Sequence, residues 1–166
     1  MLSSDYLRFM KILLWSIGKA HDSYVKEGIE EFTKRISKYY PVEWKILPAA
    51  KQTVNSAEND IKKTEGQTIL QGLQKEDYLV LLDETGKQIN SLQLAAFIET
   101  RATVSVRQLI FLIGGAFGVD DSVKSRANFT WSLSQLVFPH QLVRLMLTEQ
   151  IYRACTIIRN EKYHHQ

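Results

Sequence analysis

Apolar and polar positions alternate along this chain between short wholly apolar runs and longer stretches with helical spacing. Met10–Gly18 is a buried-type run that predicts a first strand. Tyr24, Val25, Ile29, Phe32 and Ile36 then recur at helical spacing among charged residues, predicting an amphipathic helix to about Tyr39, before Pro41. Val42–Leu47 predicts a second strand, and a polar segment from Lys51 to Asn59, which reads as a mobile loop, leads into a helix over about Ser56–Leu73. Tyr78–Leu82 is a third apolar run, closed by a turn at Asp83–Lys87, and Ser91 is placed to cap a helix from Leu92 to about Thr100. Leu109–Ile113, a short helix at Asp120–Ala127 and a last strand at Trp131–Phe138 complete the series. Strands alternating with helices at this spacing predict an α/β fold with a mainly parallel sheet covered by helices on both faces.

The final predicted helix begins with Pro139 in its first turn and runs to about Arg159. At about 100° per residue, its apolar residues from Leu142 to Ile158 cover about half the circumference, more than one sheet face needs. A symmetric partner subunit would use the surplus, and a tight single core is the alternative.

With 166 residues the chain forms one domain of ordinary size, so cofactor and substrate must share one fold. Residues 10–166 read as that domain and residues 1–9 as an N-terminal extension from an upstream start. The net charge of +3 permits contact with an anionic partner without demanding it. A single cysteine, Cys155, excludes an internal disulfide and fits a cytoplasmic setting, and its apolar neighbours favour packing over nucleophilic chemistry. No run approaches the roughly 18 apolar residues of a membrane span. Asp5, Arg8 and Lys11 break any signal-peptide pattern, so no membrane role is expected.

Three strand ends carry the candidate chemistry: Leu82, the turn Gly114-Gly115-Ala116-Phe117-Gly118, and Leu133–Phe138. Ligands of open α/β sheets bind at such carboxyl ends. The glycine turn alone is weak, since a turn built of glycines for backbone reasons would look the same, and it lacks both the dinucleotide and the phosphate-loop patterns. An oxidoreductase of the dinucleotide type would also want its glycines after the first strand, where only Gly18 stands. His140 and Arg144, four apart, share one face of the last helix at its start, directly after the third strand end. Tyr152-Arg153 and Tyr163-His164 concentrate aromatic, basic and imidazole groups near the C-terminus, a mixture suited to stacking on an unpaired base. No metal-ligand spacing is present; the pair His164-His165 lacks companions.

Taken together, the glycine turn, Pro139-His140-x-x-x-Arg144, Tyr152-Arg153-Ala154 and Tyr163-His164 resemble the ribosomal RNA large-subunit methyltransferase H family, of the SPOUT class, over Met10–Gln166. The resemblance implies a C-terminal trefoil knot in which S-adenosyl-L-methionine is held at Leu82, Gly114 and the stretch Leu133, Ser134, Gln135, Leu136, Val137 and Phe138. It implies a homodimer that methylates N3 of a pseudouridine in large-subunit (23S) ribosomal RNA on the assembled ribosome, without a metal. His140, Arg144, Tyr163 and His164 are then the expected catalytic residues, with either histidine able to accept the N3 proton and Arg144 able to stabilise the developing anion. His165 stands where relatives often carry another basic residue. A non-catalytic ribosome-binding factor is the rival from another class; it would need neither the glycine turn nor the aromatic tail.

Overall fold

Along the first strand, β1 (Lys11–Ile17), Ile12 and Leu14 enter one hydrophobic core while Trp15 and Ile17 enter another. Successive strand side chains face opposite ways, so a strand with apolar residues on both faces is covered on both. The computed structural model describes residues 9–164, so all of the expected extension except Phe9 lies outside the described residues, as does His165.

Five parallel strands form the sheet in the order β2-β1-β4-β3-β5, with β2 at Val42–Leu47, β3 at Tyr78–Gln88, β4 at Gln108–Ile113 and β5 at Phe129–Ser132. The helices are α1 (Ser23–Ile36), α2 (Glu58–Gly72), α3 (Ser91–Thr103), α4 (Asp121–Arg126) and α5 (His140–Ile158). The steps β1 to β2 and β3 to β4 run one way across the sheet, and β2 to β3 and β4 to β5 run the other. Right-handed crossovers therefore put α1 and α3 on one face and α2 and α4 on the other. The two cores follow this division, one containing Ile36, Leu94, Ile98, Leu147 and Ile151, the other Ile69 and Val123.

The path of α5 decides where a site can form. β5 is an edge strand, yet α5 packs between α1 and α3 and touches β4. The connection 133–139 must therefore cross back over the carboxyl ends of the central strands.

Four local expectations are corrected. The last strand ends at Ser132 rather than Phe138. Beyond it Ser132 Oγ donates to the Ser134 carbonyl at 2.9 Å and Ser134 Oγ accepts from Leu136 N–H at 3.0 Å. Hydroxyls that occupy nearby backbone groups in this way compete with sheet pairing. The turn expected after Leu82 is a register shift within β3, which resumes pairing at Lys87 with Trp131 and Gln88 with Ser132. Gly86 permits it, since a Cβ there would stand 2.6 Å from the Thr130 carbonyl oxygen. Asn90, not Ser91, caps α3, in a reciprocal pair with Gln93, and Ser91 Oγ instead donates to Gln150 Oε1 at 2.7 Å. Pro139 is likewise the residue before α5 rather than part of its first turn.

Candidate active site

Leu82 at the bend of β3, the turn after β4 and the crossing segment after β5 converge on one cleft of about 520 Å³, within the size range of small-molecule sites. Leu82, Gly114, Leu133, Ser134, Leu136, Val137, Phe138 and His140 all line it; Gln135 is exposed and does not. Trp131 and Val143 add apolar wall, and Lys62, Lys124, Asp83 and Glu84 add charge. The sequence marks Asp83 and Glu84 only as turn residues. Asp83 Oδ1 accepts from Thr85 N–H at 2.9 Å, an Asx-type turn that shapes the bend.

The three glycines serve different ends. A Cβ on Gly114 would stand 2.8 Å from Val119 Cγ1, and one on Gly115 would stand 2.5 Å from Glu65 Oε2. Gly118 has φ +82°, a left-handed conformation that closes the turn, with its N–H donating to the Gly115 carbonyl at 3.1 Å. The space beside Gly114 is thus filled by Val119, the residue that follows the turn. Backbone groups of the turn and of 133–138, set against apolar walls, match what an adenosine-like group needs: flat apolar contact with hydrogen bonds at its edge.

His140 and Arg144 share a face of α5, as their spacing predicts, but only the imidazole lines the cleft. The Arg144 guanidinium, 1 % exposed, turns to the end of β1. Its Nε donates to Ser16 Oγ at 2.9 Å and its Nη1 to the Lys19 carbonyl at 2.8 Å. Gln141 reinforces this join, accepting from Asp22 N–H at 3.0 Å. Burial, and then the nearby Arg144 charge, hold the His140 pKa below its ordinary 6.5. Both effects favour the neutral imidazole.

The remaining two expected residues stand elsewhere. The Tyr163 ring packs edge-on against Tyr152 with centroids 4.7 Å apart, and its hydroxyl donates to Glu149 Oε1 at 3.1 Å. Arg153 pairs with Glu149 at 2.5 Å, lies over the Tyr163 ring and approaches His164 Nδ1 at 3.4 Å. Glu149 and Arg153 sit nine and thirteen residues after His140, so they are about 14–20 Å along the helix and about half a turn around it. One chain brings Tyr163 and His164 together with Arg153, and His140 together with the cleft, but does not join the two groups. Glu149 was missed from sequence; its four-residue spacing to Arg153 was the available signal.

Among the described residues no helix is long and apolar enough to cross a membrane, and no group of histidine, cysteine and carboxylates is arranged to hold a metal. Burial pushes the Cys155 thiol up to about 12, which keeps it protonated and unreactive, as its apolar setting predicts.

Comparison with known proteins agrees with this architecture. A protein of Cytophaga hutchinsonii named ribosomal RNA large subunit methyltransferase H is 46% identical over 156 residues, covering 94% of this chain and all of the relative. Proteins of the same name from Parabacteroides distasonis and Geotalea uraniireducens are 43% and 42% identical, covering 95% and 94% of this chain and all of each relative. The family described as "Predicted SPOUT methyltransferase" matches residues 10–164, and the chain belongs to that family, whose fold implies a knot.

Proposed function

We propose that this protein transfers the methyl group of S-adenosyl-L-methionine to N3 of a pseudouridine in large-subunit ribosomal RNA, on the assembled ribosome. The observation that carries this is the convergence of three strand-end loops on one cleft with a neutral imidazole at its edge. The names of the relatives support the RNA substrate. The backbone of Gly114–Gly118 and of 133–138 would hold the cofactor, with Leu82, Leu133 and Phe138 as apolar walls. When bound, it supplies an electrophilic sulfonium methyl.

The chain's own residues then have to present the base and take a proton. N3 lies on the pairing edge, so the nucleotide must be unpaired or turned out of its stack before it can enter. As N3 bonds to the methyl carbon released from the sulfonium sulfur, which keeps the bonding pair, N3 gives up its hydrogen as a proton, and a neutral imidazole accepts it. His140, which lines the cleft, and His164, beside Arg153 in the tail cluster, are the two groups we assign to this step. Arg144, behind His140, contributes a fixed positive charge toward the developing anion while anchoring the helix that carries it. Basic residues of α1 and Lys51 supply contacts to phosphate.

We further propose that the working site is shared between two copies of the chain. Leu142 and Met146 lie on the side of α5 away from the sheet, on the stripe that carries Glu149 and Arg153, yet neither belongs to either core. A second copy covering this stripe would bring its tail cluster toward the cleft. The direct test titrates S-adenosylmethionine by calorimetry and then assays methylation of ribosomes whose target uridine has or has not been isomerised, read by mass spectrometry. Absence of cofactor binding would remove the cleft assignment, and equal rates on the two ribosomes would remove the pseudouridine preference.

A further inference from the structure

Glu65, in the middle of α2, is a carboxylate only 6 % exposed. Among the described residues it makes no ion pair. Its one side-chain hydrogen bond there is from Ala50 N–H to Oε1 at 3.2 Å. Buried carboxylates are costly to keep without a partner, so its location calls for a reason. The other oxygen, Oε2, supplies one, because it occupies the space beside Gly115 where any other residue would carry its Cβ, at 2.5 Å. The next residue, Gly66, brings α2 close to the start of α4, where a Cβ would stand 3.1 Å from Asp120 Cβ. The backbone beneath Glu65 is therefore fixed against one end of the Gly114–Asp120 segment while its head group bears on the other. The same head group holds the polar segment after β2 that carries Lys51.

We propose that Glu65 is a positioning residue for the cofactor cleft, a buried brace that sets the Gly114–Gly118 turn and the Ala50–Lys51 backbone relative to each other. The shape of the cleft and the placement of a loop suited to RNA phosphates then depend on one carboxylate. The consequence for cofactor affinity rests on the function proposed above; the brace itself does not.

The first test uses cofactor-free protein and amide hydrogen exchange. Glu65→Ala should speed exchange at least about tenfold in both 48–52 and 114–118 while β1 and β4 stay protected, a local rather than global loosening. Glu65→Gln, which keeps the acceptor and the shape, should stay within about threefold of wild type. Loosening confined to 48–52, or spread equally through the central strands, would overturn the proposal. The second test measures S-adenosylmethionine affinity. Gly115→Ala should weaken it at least about tenfold by pushing the carboxylate off the turn, and Gly115→Ala with Glu65→Ala should bind like Glu65→Ala alone. Losses that simply multiply would show that the methyl group and the carboxylate do not compete, and the brace would be wrong. If wild-type protein binds no cofactor, the cleft assignment fails and the exchange experiment still decides the brace.

Discussion

Arg144 Nε donates to Ser16 Oγ at 2.9 Å, joining the helix that follows the last strand to the end of the first. The guanidinium is buried with a hydroxyl, a carbonyl and a histidine ring around it. Arg144→Met should therefore destabilise the protein by about 2–4 kcal/mol, since Ser16 Oγ and the Lys19 carbonyl are left unpaired inside the fold. Arg144→Lys should recover less than half of that, because one ammonium cannot span both acceptors. Urea denaturation monitored by tryptophan fluorescence checks this, and equal stability of the three proteins would show that the join contributes nothing.

The same charge sets a pH dependence. Burial first and Arg144 second lower the His140 pKa in the fold, and burial, Arg144 and Lys26 lower that of His21 against an opposing effect of Glu30. A histidine with a depressed folded pKa contributes stability that is present above its unfolded value near 6.5 and is lost as pH falls through the folded value. Stability should thus be flat above pH 7 and decline below about pH 6.5. An NMR titration should place both imidazoles below 6.5, with His140 rising toward that value in Arg144→Met. A His140 midpoint above 7 would contradict its assignment as a neutral proton acceptor.

Gly114 lines the cleft, and a Cβ there would stand 2.8 Å from Val119 Cγ1. Gly114→Val is expected to unseat Val119 and lower the melting temperature together with cofactor affinity. Unchanged thermal stability with lost binding would show that Val119 gives way without cost and that the added side chain acts on the cofactor alone.

Much of the fold was legible because the central strands contain short apolar runs and the helices periodic ones, and both patterns survive from the sequence into two separate cores. Seven of the eight expected cofactor residues reached the cleft for the related reason that strand ends in such sheets point the same way. What could not be read were contacts set by position in space. Gly86 passing over Thr130, Glu65 filling the hollow at Gly115, and the direction taken by the Arg144 side chain all depend on which distant element lies opposite. The local hydroxyl bonds of Ser132 and Ser134, which end β5 early, were available in principle but give the same residue pattern as a polar strand face.

The outer stripe of α5 provides a direct check on assembly. Leu142→Glu with Met146→Glu would place two charges where a partner helix is expected to pack, while touching neither core. Light scattering at micromolar concentration should report a dimer for the wild type and a monomer for the variant, with similar circular dichroism. A monomeric wild type, or a variant that remains dimeric, would rule out this face.

The tail links assembly to chemistry. Tyr163 is held by Tyr152 and Glu149 on the side of α5 away from His140, so within one chain its removal should not disturb the cleft. Deleting 163–166 is expected to leave cofactor affinity within about twofold of wild type while lowering methyl transfer to ribosomes at least about 100-fold, the scale of losing a positioned acid–base or orienting group. If the tail serves the neighbouring chain, truncated subunits should be complemented by His140→Ala subunits. In a mixed dimer one site then combines an intact cleft with an intact tail, and the other carries both lesions. Random pairing makes about half of the dimers mixed, so a one-to-one mixture should recover about a quarter of wild-type activity although each parent is inactive. A mixture as inactive as its parents would place the tail and the cleft of the same chain in one site, and the separation seen along α5 would then have to close by a movement of the tail itself.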